Sequence, residues 1–191
     1  MLVVVRSGTR LLTAPGATTM TATTRFSSSA TSATPSPYGT SSFRSIRGRD
    51  QFFVDNTRFI PLLEQYADQL FFVRPPRFGK TLLVDTLHHY YDCASSLDEF
   101  NALFGGLDVH KNVTSLARSF HVLKLDFSID VEGDVRDNFI KDVNSSLHSF
   151  QKCYNLEFEI DPTNCFVSFK NAASAVAENG GKLYVLIDEY D

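Results

Sequence analysis

Residues 74–81 read Arg-Pro-Pro-Arg-Phe-Gly-Lys-Thr, and their glycine-lysine-threonine ending has the residue types that bind the phosphates of a nucleotide. In the general pattern G-x-x-x-x-G-K-[ST], the second glycine lets the backbone approach the phosphates closely. The lysine reaches the β and γ phosphates, and the hydroxyl ligates Mg²⁺. Gly79, Lys80 and Thr81 match the end of this pattern, whereas Arg74 replaces its first glycine.

The two prolines inside this segment limit the backbone donors that it can offer. Pro75 and Pro76 have no N–H, so a cradle of donors can begin only at Arg77. The two arginines carry charge that suits phosphate. We therefore predict nucleotide contacts from six residues: Arg74, Arg77, Phe78, Gly79, Lys80 and Thr81.

A second group of chemically capable residues closes the chain. Residues 182–187 form a β-rich apolar run after Gly180 and Gly181, and Asp188 and Glu189 follow at once. A carboxylate at a strand tip can hold Mg²⁺, which prefers oxygen ligands, and its neighbour can position or deprotonate an attacking water.

From these two groups we predict the roles of four residues. Thr81 and Asp188 would bind Mg²⁺, while Lys80 and Glu189 would be catalytic. The alternative is a chance Gly-Lys-Thr at a helix start together with a solvated acidic turn. The occurrence of both motifs in this order is much less expected by chance than the occurrence of either motif alone.

Residues 74–81 resemble the R-P-R-R-F-G-K-[ST] loop of the AAA-ATPase-like family, although Pro76 stands where that family usually has arginine. The resemblance covers roughly residues 46–191. It includes three further segments: Phe53 to Thr57, Leu123 to Ser128 and Leu186 to Asp191. It implies a P-loop ATPase that uses ATP and Mg²⁺, of a kind often fused to a C-terminal nuclease-like domain of the PD-(D/E)xK type.

The elements that must position these residues alternate between strands and helices. Strand patterns occupy residues 70–73, 121–127 and 182–187, with helical periodicity between them. We expect an α/β fold, a P-loop NTPase parallel sheet with helices on both faces. In ATPases with adjacent acids at a strand tip, a further strand that comes later in the chain separates the loop strand from the acidic strand. The sheet is therefore expected to be truncated after the acidic (Walker B) strand, with an empty central position.

The helix signals come from caps and periodicity. Residues 57–65 favour a short helix, Lys80 opens a helix after the loop, and residues 134–151 carry apolar side chains at helical spacing. Ser96 begins a capping box for a helix that ends at Gly105-Gly106, and Asp161-Pro162 indicates another helix start. His88 and His89 are adjacent, which favours helix-surface residues over metal ligands.

Residues 1–45 differ in composition from the rest. They are rich in Arg, Ser and Thr and contain no acidic residue, which is typical of an organellar transit peptide. We expect mitochondrial localisation; the alternative is a disordered, non-targeting tail on a cytoplasmic protein. The apolar run Leu2–Val5 is too short to span a membrane, so no membrane partner is expected. The folded domain is predicted over residues 46–191.

Charge argues against nucleic acid as a direct ligand of the domain. The formal net charge is −4, but residues 1–49 hold six arginines and no acid. Residues 50–191 thus hold 12 of the 18 basic and all 22 acidic residues, a net of −10. Such a domain repels a phosphate backbone. The three cysteines lack metal-ligand spacing and favour free thiols.

Together these observations predict a module that binds ATP and, with Mg²⁺, hydrolyses it, with activity weak or absent if the sheet is truncated. The alternatives are a non-catalytic nucleotide-binding or interaction fragment, and a fragment without an independent fold. The expected partners are the nucleotide and either an oligomer or a complementing C-terminal domain.

Overall fold

The computed structural model describes residues 2–6, 36, 39–66, 69–73, 75, 77–128 and 134–189, and of residues 2–6 it describes the backbone alone. Within these ranges, no helix combines the length and the apolar character needed to cross a bilayer.

A four-stranded sheet forms the centre of the fold, in the spatial order β2-β1-β4-β3. Its strands are β1 (Leu2–Arg6), β2 (Gln69–Phe72), β3 (His121–Asp126) and β4 (Leu183–Asp188). β3 and β4 are parallel, whereas β1 is antiparallel to both β2 and β4. β2, β3 and β4 therefore run in one direction, as the sequence patterns predicted, and the fold is of the mixed α/β kind.

The expectation of an empty central position was wrong. β1 lies between β2 and β4, with Val4 opposite Leu70 on one side and Leu186 on the other. The physical reason is that two neighbouring strands without a partner would leave a row of unpaired N–H and C=O groups. The run Leu2–Arg6 supplies those hydrogen bonds, so this part of residues 1–45 lies in the sheet, ahead of the predicted domain start.

Seven helices cover the described part of the sheet and its connections. They are α1 (Phe43–Gly48), α2 (Ile60–Leu63), α3 (Lys80–Tyr91), α4 (Leu97–Phe104), α5 (Asp108–Lys111), α6 (Val135–Tyr154) and α7 (Cys165–Glu178). A 3₁₀ turn at Thr57–Phe59 leads into α2, so the single helix expected over residues 57–65 is shorter and divided. α1 begins three residues before the predicted domain start, Ile46.

Two hydrophobic cores, one on each face of the sheet, follow from the alternation of side chains along β3 and β4. Val122, Tyr184 and Leu186 pack with α1, α3 and α4 in an aromatic-rich core. Leu123 and Val185 pack with α6 and α7 in a mainly aliphatic core. The prediction of helices on both faces is confirmed for this half of the sheet.

Local capping explains most helix starts, with one correction. Ser96 accepts a hydrogen bond from the Glu99 N–H at 3.1 Å, as the capping box predicted. The last long helix, α7, does not begin at Asp161-Pro162. The Asp161 carboxylate instead accepts the N–H of Thr163 at 2.8 Å in a turn, and Asn164 caps the helix. Asp side chains can accept a hydrogen bond from the backbone N–H two residues ahead, and the turn that results competes with a helix start at the same position.

Candidate functional site

The phosphate-loop segment lies between the end of β2 and the start of α3. Gly79 adopts a left-handed conformation (φ 77°) as the cap of α3, and Lys80 is the first helical residue. A side chain at Gly79 would be strained in that conformation, so the glycine is needed for the turn. The N-terminus of an α-helix, with its dipole, is a type of position at which proteins bind anions.

Lys80 is the buried cation of this region. Only 9% of its side chain is exposed, and its Nζ lies 3.8 Å from Oε2 of Glu189. Glu189 comes from a distant part of the sequence, directly after β4, and its side chain is 45% exposed. The fold therefore brings together the two residues that sequence reasoning named as catalytic.

Asp188 is the last residue of β4 and is 1% exposed. Its Oδ1 accepts the Glu189 N–H at 3.1 Å, while Oδ2 is buried without a hydrogen-bond partner among the described residues. A buried carboxylate oxygen left without a partner is costly unless a cation or donor completes it. Asp188 thus fits the requirements of a cation ligand.

The neighbouring strand tip shows a different arrangement. Asp126 pairs with Asp188 in the β3–β4 register and is exposed. Its Oδ1 accepts both the N–H and the hydroxyl of Ser128, at 3.0 and 2.7 Å. The Asp126 carboxylate caps its own turn, whereas Asp188 keeps one oxygen available.

Three of the described residues with left-handed backbone lie at this site. Arg77, Gly79 and Glu189 have φ values of 66°, 77° and 53°. For residues other than glycine this conformation is uncommon, and it persists where the surrounding structure holds it. These positions flank the two ends of the candidate site, the loop and the acidic strand tip.

An apolar groove of about 590 Å³ adjoins the loop, and sequence reasoning missed it. Gly79 and Phe78 line one end, and the other walls include Phe52, Phe59 and Leu82. Several of these side chains are strongly exposed, Phe78 at 64% and Phe52 at 57%. The phenylalanine-rich composition was a signal, but only the fold shows that these rings surround one groove.

The other residues predicted to contact the nucleotide or Mg²⁺ lie in the loop and in the first turn of α3. Thr81 lies in the first turn of α3 and is half-buried, next to Lys80. Arg77 is exposed in the loop. Arg74 and Pro76 lie outside the described residues. The roles of all these residues remain predictions.

Comparison with known proteins adds an independent observation. The profile of a family described as "Predicted AAA-ATPase" matches residues 37–191. The chain belongs to the AAA-ATPase-like family. The match begins before Ile46 and includes α1 together with both halves of the candidate site.

One relative among curated proteins is an "Uncharacterized protein in vnfD 5'region" of Azotobacter chroococcum mcd 1. It is 36% identical over 102 residues, which are 53% of this chain and 18% of the relative. This AAA-ATPase-like chain therefore matches less than a fifth of that relative's length. No solved structure matches the AAA-ATPase-like chain described above.

Proposed function

We propose that this AAA-ATPase-like chain binds Mg–ATP at the N-terminus of α3 and supports its hydrolysis there. The observation that carries the proposal is the meeting of a buried Lys80 with Glu189 at 3.8 Å, beside the unpartnered oxygen of Asp188. Family membership supports an ATP-related function, and the geometry of these three side chains supports the phosphate and cation contacts.

Each residue would make its contribution through a feature described above. Lys80 and the N–H groups after Gly79 would bind phosphate, because charge-assisted hydrogen bonds are the strong ones. Asp188 and Thr81 would hold Mg²⁺. When bound, Mg²⁺ neutralises charge that develops on the phosphate oxygens. Arg77, exposed in the loop, is available for a further phosphate contact.

Glu189 would have two roles in succession. Without nucleotide, its carboxylate lies 3.8 Å from the Lys80 ammonium. Arriving phosphate would compete for that cation and release Glu189. The freed carboxylate would then position the attacking water and accept its proton.

The apolar groove would hold the nucleoside end of the ligand. Its aromatic walls continue from Gly79 and Phe78, so a phosphate at the loop directs the attached sugar and base towards Phe52 and Phe59. Base stacking on an aromatic ring contributes about 1–3 kcal/mol. We expect Phe52→Ala to weaken ATP and ADP alike, but not inorganic triphosphate.

Turnover by the chain alone should be slow. A positively charged side chain supplied by a partner speeds phosphoryl transfer by about 10³–10⁵-fold in related chemistry. An oligomer or a complementing C-terminal domain would be the source of such a residue. A non-hydrolysing nucleotide module is the second candidate, and it predicts the same binding without phosphate release.

Nucleotide titration and phosphate release test the proposal on the full chain. Lys80→Ala should weaken Mg–ATP binding at least tenfold, whereas Lys182→Ala, an exposed lysine before β4, should not. Glu189→Gln should retain or tighten binding while phosphate release falls. Equal affinity of the wild type and Lys80→Ala would refute the phosphate site.

A further inference from the structure

A second cluster of ligand-type side chains lies on α3, outside the phosphate site. Asp85, His88 and His89 each offer one ligand atom, and these three atoms all lie within 4.8 Å of one another. The spacing i, i+3 and i+4 explains this, since residues three and four apart are neighbours on a helix surface. All three side chains are half-buried.

We propose that Asp85, His88 and His89 bind a divalent transition-metal ion, with Zn²⁺ the best fit. Zn²⁺ binds imidazole nitrogen and carboxylate oxygen at about 2.0–2.2 Å, and sites with three protein ligands leave the fourth position for water. A tetrahedral ion of that size holds its ligand atoms about 3.4 Å apart. Closing from 4.8 Å requires only modest side-chain rotation.

The surroundings orient the carboxylate as a metal ligand would need. The Phe43 N–H at the start of α1 donates to Asp85 Oδ2 at 2.7 Å. The nearest His89 nitrogen, Nε2, lies 3.9 Å from the same oxygen. Outer hydrogen bonds of this type fix ligand orientation in metal sites. An ion here would connect α1 to α3 through Asp85.

The two imidazoles are partly shielded from solvent. Burial lowers the pKa of His88 and of His89 below the ordinary value, which favours the neutral ring. The rings lie 5.2 Å apart between centroids, and the His89 ring is 6.2 Å from that of the fully buried Phe43. This apolar wall limits water on one side of the cluster.

Nearby charges are mixed. Asp92 and Asp85 favour positive charge at His88, whereas Lys124 and Arg44 oppose it. Arg44 is itself ion-paired with Glu99. The local field therefore does not exclude a cation, and the affinity depends on the three ligands.

The ligand set distinguishes this site from the one at Asp188. Mg²⁺ prefers oxygen ligands, whereas imidazole suits Zn²⁺, Cu²⁺, Ni²⁺ and Fe²⁺. The proposal stands independently of nucleotide binding. It departs from the sequence expectation, which favoured helix-surface residues over metal ligands for His88 and His89. Asp85, three and four positions earlier, supplies the third ligand atom.

The test uses the full chain after treatment with a chelator. Titration with Co²⁺, followed by absorption, and with Zn²⁺, followed by calorimetry, should each show one equivalent bound. His88→Ala and His89→Ala should weaken binding at least tenfold. Asp85→Asn should weaken it too, while its amide oxygen still accepts the Phe43 N–H. His148→Ala, an exposed histidine of α6, is the matched control and should bind normally.

A second measurement keeps the test decisive if a variant folds poorly. Zn²⁺ should raise the unfolding temperature of the wild type and of His148→Ala, but not of Asp85→Asn, because a ligand stabilises the state it binds. Absence of stoichiometric binding would overturn the proposal. So would unchanged affinity in the cluster variants, or a thiolate-to-Co²⁺ absorption band, which would assign the metal to cysteine.

Discussion

The two halves of the sheet differ in how firmly they are held. β4 has buried side chains at five of its six positions, between α3 on one face and α7 on the other. β2 alternates between exposed and half-buried side chains, and Phe71 is 62% exposed. The candidate site spans these halves, with Lys80 following β2 and Asp188 ending β4. A firmly packed strand thus supplies the carboxylates, and a lightly covered one leads into the phosphate loop.

This difference has a functional consequence. Regions with few buried apolar contacts open locally at low free-energy cost, and ligand-binding loops are drawn from such regions. In the proposed mechanism the loop side adapts to the nucleotide, whereas the Asp188 carboxylate stays in place. Three predictions test the comparison, from the largest expected effect to the smallest.

Truncating a core side chain in β4 should have the largest effect. Leu186 is fully buried against the aromatic core, so Leu186→Ala should lower the free energy of unfolding by about 2–5 kcal/mol. Phe71→Ala, in exposed β2, should change it by no more than about 0.5 kcal/mol. Urea unfolding of both variants is the measurement. Similar losses in the two would mean that the halves are equally packed.

The sequence predicted the better-packed half well, for physical reasons. β3, α3 and α6 each repeat apolar residues at the period of their own secondary structure, and β4 is a continuous apolar run; both patterns are local. The glycine-lysine-threonine ending and the Asp188-Glu189 pair likewise carry their chemistry in adjacent residues. The two motifs were expected to lie close together because each follows a strand, and the two strands run in the same direction.

The features that the sequence did not show depend on long-range contacts. Nothing in Leu2–Arg6 indicates that it pairs with strands more than 60 residues away, and the surrounding Ser, Thr and Arg suggested a leader. The aromatic groove depends on which phenylalanines stay exposed. Two side chains, Asp161 and Asn164, could each cap the start of α7. Residue propensity for the helix N-cap position favours both, so it does not predict which of them begins the helix.

Disrupting β1 should have the second largest effect, concentrated in the β2 half. Val4→Pro removes a backbone N–H from a strand with a partner on each side, and a buried group left unpaired costs about 1–3 kcal/mol. Hydrogen exchange should accelerate at the β2 amides more than at those of β3. Val4→Ile, which keeps the N–H and the β-branched shape, is the control.

The same variant bears on the proposed leader. Removal of residues 1–45 as a cleaved leader would remove β1 and open the position between β2 and β4, so a targeting role and a sheet role for residues 2–6 exclude each other in one mature molecule. Unchanged stability and exchange in Val4→Pro would favour the leader. Loss of stability, together with cytosolic location of a reporter fused to residues 1–45, would favour the strand.

The smallest expected effect is a pH dependence of stability that comes from His121, the first residue of β3. Burial lowers the pKa of His121 from its ordinary value of 6.5, and its ring packs on Tyr154 with centroids 4.7 Å apart. Well above pH 6.5 the ring is neutral in both folded and unfolded chains. As the pH falls below 6.5 the unfolded chain takes up the proton first, so stability falls until the folded pKa is passed.

Solvent screens charge on this partly exposed ring, so we expect the His121 contribution to stay below about 1 kcal/mol. His88 and His89 also have lowered pKa values, and their contribution has the same sign but lies on α3. Urea unfolding at pH 7.5, 6.5 and 5.5 should show a shallower decline for His121→Gln than for the wild type. His148→Gln, exposed on α6, should follow the wild type. An unchanged decline in His121→Gln would place the pH dependence on the α3 side of the sheet instead.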